Sequence, residues 1–347
     1  MGLRTQTANG LFSLLSLLFC ITSLSVFIIA NALFTVWTDQ QRLVVTPFRW
    51  VAATLVPILI ASSNISKKSL STCGALLALL ASFVLILANY IFFLSLLAFF
   101  ISSSRAIRFK AELKTSYTES YSRGAHMGLL QVLCSCGVAV HLCVLYLLDI
   151  GPADLPIDFR HQYRASWFGC AVLGSLSCSC GDTWASQLGS VLSPASPRLI
   201  TSLRPVPRVG HTAMFTADLS LLQGTNGGVS LPGLIFSFLG GLVVGAAYYL
   251  GVILFSSSQD LILAPSQLNV ILLGGLGGLL GSVIDSFLGA SLQFSGKDTI
   301  SGQIVEVSAE GVIPISGKMV LDNNSVNLIS NILTAVLLPE LAINFGL

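Results

Sequence analysis

The chain has 347 residues, of which 54% are apolar and 9% charged, with a formal net charge of +2. An average soluble chain carries about 25% charged residues. So few charges, with a mean hydropathy of +0.84, cannot cover a water-facing surface, which excludes a soluble globular domain and makes lipid the solvent. The charge balance points to no acidic partner, and no nucleic acid is expected. Cys20, Cys73, Cys134, Cys136, Cys143, Cys170, Cys178 and Cys180 lie in or beside apolar runs. They read as free thiols packed as small hydrophobes, not as a disulfide framework. His126 and His141 sit among Cys134, Cys136 and Cys143, at a spacing that matches no zinc pattern.

A helical span needs about 20 mostly apolar residues. In chain order such runs fall near 11–34, 49–63, 73–103, 128–148, 165–180, 229–255, 268–290 and 326–345. The first is longer than the roughly 7–15 apolar residues of a secretory leader and more spans follow it, so it reads as a membrane helix. The long run 73–103 has Asn89 at its middle. Lys67 and Lys68 precede it, and Arg105, Arg108, Lys110, Lys114 and Arg123 follow it. Basic loops stay in the cytoplasm, so both flanks belong on one side. The spacing therefore predicts a break at Ala88–Asn89, into two short helices or a re-entrant hairpin.

The resulting fold class is all-α: a polytopic transmembrane bundle of eight or nine segments forming a single membrane domain over 1–347. Its N-terminus is expected in the cytoplasm, with cytoplasmic loops near 104–125, 190–226 and 291–322. The acidic Asp149–Asp158 loop, the Ser256–Gln267 loop and the C-terminus then fall in the lumen, with an endomembrane such as the endoplasmic reticulum as the location. Gly241 with Gly245, Gly274 with Gly278 and Gly277 with Gly281 have the small-xxx-small spacing that lets helix backbones approach closely.

Charges deep in a membrane cost about 2.5–3.5 kcal/mol on insertion scales and mark function by default. Three stretches carry them. In Gly181–Gly189, regular helical spacing places Asp182, Ser186 and Gly189 on one face. In Gly281–Ala290, Asp285 stands between apolar neighbours. In Leu321–Asn331, Asp322 and Asn323 lead a stripe continued by Asn327 and Asn331. The first two share Gly-x-x-x-x-Ser-x-Leu-Gly, a degenerate internal repeat that would bring Asp182 and Asp285 to one site. Asp182 could instead cap a helix, as could Asp322, and the asparagines could bond neighbouring helices. Carboxylates without matching buried cations favour a metal, and Mg²⁺ takes one or two carboxylates together with water and phosphate oxygens. Asp182, Asp285 and Asp322 are the expected metal ligands and catalytic residues.

Gly224-Thr225-Asn226-Gly227-Gly228 is a turn signal. Its open backbone N–H groups also suit phosphate oxygens, although no P-loop lysine follows. Lys67 and Lys68 report topology first, yet lysines at an interface can bind a phosphate.

Several of these segments together resemble a known membrane family. They are Lys67–Leu76, Gly181–Ser186, Ser196–Thr201, Gly224–Val229, Asp285–Ala290 and Leu321–Leu328. The pattern, from about Arg49 to Leu338, is similar to the family called domain of unknown function 92. The same family includes a plant chloroplast phytyl-phosphate kinase. More distantly it resembles CTP-using polyprenol kinases and phosphatidate cytidylyltransferases. The resemblance implies nucleotide-dependent phosphoryl transfer to an isoprenyl monophosphate, with CTP or ATP as co-substrate and Mg²⁺ as cofactor. Asn226, Gly227, Gly228, Asn323 and Asn327 would orient the nucleotide phosphates, and Lys67, Lys68 or Arg198 would meet the lipid phosphate. The family pattern runs from Pro-Val-Pro almost directly into Gly-Thr-Asn-Gly-Gly, whereas here Arg208–Gln223 intervenes. A transporter that couples ions through the same carboxylates, or a non-catalytic scaffold, is the alternative reading.

Overall fold

The computed structural model describes residues 15–29, 45–66, 72–115, 129–193, 196–206, 225–300 and 304–347. Lys67, Lys68, Gly224, His126 and the Arg208–Gln223 insertion lie outside the described residues. In chain order come α1 (Leu15–Ile29), α2 (Pro47–Ser66), α3 (Thr72–Ala88), α4 (Tyr90–Thr115), α5 (Leu129–Asp149) and α6 (Tyr163–Trp184). A π-helical turn (Ala185–Gly189) and α7 (Ser190–Leu192) extend α6. Then follow β1 (Arg198–Leu199), β2 (Gly228–Val229), α8 (Leu231–Phe255), α9 (Ser258–Leu263) and α10 (Asn269–Leu292). The chain closes with β3 (Ser295–Asp298), β4 (Ile304–Val305), β5 (Val312–Ser316) and α11 (Asn323–Asn344).

Five of the described helices are long and apolar enough to cross a membrane: α4, α5, α8, α10 and α11. α1, α2 and α3 contain shorter apolar stretches. α6 falls outside both sets because Ser166, Ser175, Ser177 and Ser179 interrupt it, all of them buried. It packs against α4, α5, α8, α10 and α11. A helix walled in by other helices meets little lipid, so small residues that permit close approach replace bulky apolar ones.

The run near 73–103 breaks at Asn89, but α4 is a 26-residue helix, not the short second half expected. Asn89 is 1% exposed, and its Oδ1 accepts the Ile91 N–H at 2.7 Å, which caps α4. A helix end leaves its last carbonyls without partners. Here Arg49, from the start of α2, donates through Nη1 to the Leu87 and Ala88 carbonyls at 3.4 and 3.2 Å. Its Nη2 pairs with Asp154, whose Oδ1 accepts the Tyr90 N–H at 2.7 Å. The guanidinium also lies 4.4 Å from the centre of the Tyr90 ring. Burial pushes the Asp154 carboxyl up, with Arg49 and the Tyr90 N–H pulling the other way. The α3–α4 corner, the start of α2 and the loop after α5 thus share one end of the bundle. Gln267 joins them there, bonding the Ile157 N–H and carbonyl at 2.9 and 2.8 Å.

The opposite end carries short strands that a wholly α-helical reading does not contain. β1 pairs antiparallel with β2, and β3 lies between β4 and β5. The strands sit over the end of α10, where the Val320 and Leu321 N–H groups both bond the Leu292 carbonyl, at 3.1 and 3.0 Å. Loops read as cytoplasmic connectors are therefore partly ordered by backbone pairing.

Removing one partner of a buried ion pair typically costs about 3–5 kcal/mol. Asp154→Ala is expected to lower the melting temperature of the detergent-solubilised protein accordingly. Arg164, 73% exposed in its pair with Asp149, serves as the control, because exposed pairs contribute roughly 0–1 kcal/mol. Equal melting of Asp154→Ala and wild type would show that the clasp does not hold the corner.

Candidate functional site

Glycine sets the site's geometry. A Cβ at Gly241 of α8 would sit 2.2 Å from the Gly274 carbonyl oxygen of α10. One at Gly181 of α6 would sit 2.7 Å from the Gly278 carbonyl and 2.8 Å from that of Ser237, and one at Gly281 would sit 2.4 Å from Cys178 Sγ. No side chain fits such gaps, so α6, α8 and α10 meet backbone to backbone. The small-residue spacing in the sequence serves packing within this bundle.

That crossing puts two of the expected carboxylates within electrostatic reach of each other. Asp182 follows Gly181 directly, and Asp285 lies one turn beyond Gly281. The two interact electrostatically, and both are half-buried. Among the described residues neither forms an ion pair. Asp285 Oδ2 accepts a hydrogen bond from Ser330 of α11 at 3.3 Å, and Ser330 Oγ is also 3.8 Å from Cys178 Sγ. Beside it, Asn331 (2% exposed) donates to the Cys134 carbonyl at 3.0 Å and accepts from Ser179 Oγ at 3.0 Å. A polar seam therefore joins α5, α6, α10 and α11 behind the acidic pair. Ser330, three residues after Asn327, gives no distinct signal in the sequence, because a serine within an apolar helix commonly bonds its own backbone, as its Oγ also does to the Asn327 carbonyl at 3.0 Å.

The other expected residues are placed differently. Asp322 does not join the pair as a third ligand. Among the described residues no group of three His, Cys, Asp or Glu side chains is close enough to hold a metal, and Asp322 instead caps α11, its Oδ1 accepting the Ser325 N–H at 2.9 Å. Those bonds from Ser325 hold the Asp322 carboxyl below its ordinary range. Asn323 is exposed and Asn327 half-buried at the same end of α11. Asp182, Ser186 and Gly189 do not share a face. The π-helical turn widens the backbone after Trp184, leaving Ser186 exposed while Gly189 is buried against Gly233.

The Thr225–Gly228 turn docks on the end of α10. Gly227 has φ +76°, and a Cβ there would fall 2.3 Å from the Ala290 Cβ. The Asn226 N–H donates to Ser295 Oγ at 3.0 Å, and the Gly228 N–H to the Thr225 carbonyl at 3.1 Å. Asn226 Nδ2 donates to the Phe294 carbonyl and to Glu306 Oε1, each at 3.3 Å. Two of the N–H groups expected to cradle phosphate are thus engaged within the protein.

The donor set suits a hard divalent cation. Two carboxylates with no ion-pair partner among the described residues are a set that would suit Mg²⁺ alongside substrate phosphates and water. Asp322 is expected to behave as a cap. Asp322→Ala should destabilise by about 0.5–2 kcal/mol, and Asp322→Ser should restore most of that, since serine caps as well as aspartate. Because the folded-state value of Asp322 is lowered, the cap's contribution is present above about pH 4 and is lost as pH falls through that lowered value. Melting curves from pH 3 to 7 check this; a pH-independent difference between wild type and Asp322→Ala would contradict it.

Comparison with known proteins agrees with the architecture. The profile of the family described as integral membrane protein DUF92 matches residues 55–335. Protein PGR of Arabidopsis thaliana is 35% identical over 291 residues, covering 84% of this chain and 95% of that protein. An uncharacterized membrane protein of Methanocaldococcus jannaschii is 27% identical over 155 residues, 45% of this chain and 52% of its own length. No solved structure matches the chain. The family profile spans both carboxylates of the pair and the start of α11, and this chain belongs to the DUF92 family of integral membrane proteins.

Proposed function

We propose that the protein is a lipid-phosphate kinase that moves the terminal phosphoryl group of CTP or ATP onto an isoprenyl monophosphate. The observation that carries this reading is that Asp182 and Asp285, about a hundred residues apart in sequence, lie within electrostatic reach of each other and, among the described residues, form no ion pair. The resemblance to prenyl-phosphate kinases supports it. In the proposed topology the eight or nine segments of this single membrane domain start from a cytoplasmic N-terminus in an endomembrane. That end then faces the cytosol, where the nucleotide is.

Asp182 and Asp285 would hold Mg²⁺, which when bound neutralises charge on the nucleotide phosphates. Ser330 fixes the Asp285 carboxylate by its hydrogen bond. Asn323 and Asn327, at the mouth, would donate amide N–H groups to phosphate oxygens. The Thr225–Gly228 turn contributes by holding the end of α10 in place, and Lys67 and Lys68 are the proposed partners of the lipid phosphate. An oxygen of the acceptor phosphate attacks the terminal phosphorus, the bond to the bridging oxygen breaks, and a nucleoside diphosphate leaves. That nucleophile is already anionic, so positioning and charge stabilisation suffice and no general base is needed.

The test supplies purified protein with Mg²⁺, terminally labelled CTP or ATP and a series of isoprenyl monophosphates. Label is expected in a lipid diphosphate, and Asp285→Asn should reduce transfer by about a hundred- to a thousandfold while expressing and eluting like wild type. Full turnover by that variant would remove Asp285 from the site. Ion-driven uptake into proteoliposomes without nucleotide, and no labelled lipid, would replace the kinase with a transporter.

A further inference from the structure

A membrane protein holds its level in the bilayer through residues at the interface, and one connection here carries apolar and basic side chains at that level. α10 has 24 residues and α11 has 22, about 36 and 33 Å at the helical rise, against a hydrocarbon core of about 30 Å. The ends of both helices therefore reach the headgroup layer. The connection Gly317–Asp322 joins β5 to α11 across the end of α10.

Hydrogen bonds fasten that connection to α10. The Lys318 N–H donates to the Ser291 carbonyl at 3.2 Å, and those of Val320 and Leu321 donate to the Leu292 carbonyl at 3.1 and 3.0 Å. These bonds satisfy carbonyls that a helix end leaves open. They also occupy backbone N–H groups of the connection, as entry into a poorly hydrated layer requires. Gly317 permits the close approach. It has φ +71°, and a Cβ there would overlap the Gln293 carbonyl oxygen.

The side chains of the connection are left uncovered by the protein. Met319 is 59% exposed and Val320 63%, and Lys318 before them is exposed as well. A single exposed apolar residue is ordinary on a water-facing loop. These two are adjacent, and they continue a surface already turned to lipid. Phe287, 56% exposed, lies one turn before Ser291 on the same face of α10, and Ser291 is where the connection is fastened. An apolar patch that runs on from a lipid-facing helix is itself suited to lipid. Lysine suits the same level, because its stem packs along apolar surface while its ammonium stays among headgroup phosphates.

We propose that the Gly317–Asp322 connection is an interfacial anchor seated in the bilayer that holds the protein. Met319 and Val320 enter the boundary between headgroups and acyl chains beside Phe287, and the Lys318 ammonium meets headgroup phosphates. Asp285 lies seven residues before Leu292, about 10 Å along the axis. The anchor thus sets how far below the headgroups the acidic pair stands. It does not rest on the kinase reading.

The test uses the full-length protein in phosphatidylcholine nanodiscs with Cys20→Ser and Cys73→Ser, the other six cysteines being buried. A nitroxide is attached in turn at Met319→Cys, Val320→Cys and Ser308→Cys. Ser308 belongs to the exposed Ser308–Glu310 turn between β4 and β5 and serves as the water-facing reference. Electron paramagnetic resonance measures collisions of each label with oxygen, which concentrates in lipid, and with a water-soluble nickel chelate. Oxygen is expected to dominate at 319 and 320 and the chelate at 308, a reversal of the ratio. A chelate-dominated ratio at 319 and 320, or equal ratios at all three positions, would overturn the anchor. Low access of both reagents to 319 and 320 would mean that protein covers the patch, with spin–spin broadening identifying a second copy of the chain, and would overturn it too.

Discussion

The contact on which the rest depends is the backbone-to-backbone crossing of α6, α8 and α10. In lipid, helices gain nothing by hiding apolar surface from one another, so association relies on close packing and on bonds between helices. Gly181, Gly241, Gly274, Gly278 and Gly281 supply the closeness; at each, a Cβ would overlap a neighbour's atoms. Asp182 and Asp285 sit one residue and one turn beyond this crossing. Their meeting is a consequence of glycine packing, and a side chain inserted at the crossing would separate them.

The two ends of the bundle treat charge differently. At one end Arg49 pairs with Asp154 and takes the Leu87 and Ala88 carbonyls, Asp154 takes the Tyr90 N–H, and Asn89 takes the Ile91 N–H, so the backbone groups freed by breaking the α3–α4 run are matched. Such an end contributes stability. At the other end the acidic pair has a serine hydroxyl for company and, among the described residues, no ion pair. An arrangement that leaves carboxylates uncompensated costs stability and persists where it serves a ligand. The family assignment places this polarised bundle in a group of integral membrane proteins, and the chemistry proposed for it rests on the acidic end.

Much of this was legible from charge placement. Lys67, Lys68 and the Arg105–Arg123 segment on either side of one long apolar run pointed to a break at Asn89, and the chain does break there. The glycines before Asp182 and Asp285 were legible as packing residues, and the crossing they make puts the two carboxylates within electrostatic reach of each other. The π-helical turn after Trp184 was not: one extra residue per turn leaves no signature in residue types, and it undid the face expected for Ser186 and Gly189. The pairing of β3 with β4 and β5 escaped because two- to five-residue strands carry too little periodicity to separate them from loop. Asp322 was ambiguous on paper between ligand and cap, and only the position of the Ser325 N–H resolves it.

The most direct measurement is Mn²⁺ binding, followed by electron paramagnetic resonance, with Mn²⁺ standing in for Mg²⁺ in the presence of a non-hydrolysable nucleotide. If Asp182 and Asp285 form one site, wild type holds a single ion per chain, and Asp182→Asn, Asp285→Asn and the double variant lose it to the same extent. Independent, additive losses, or an ion retained in the double variant, would show that the two carboxylates do not work together.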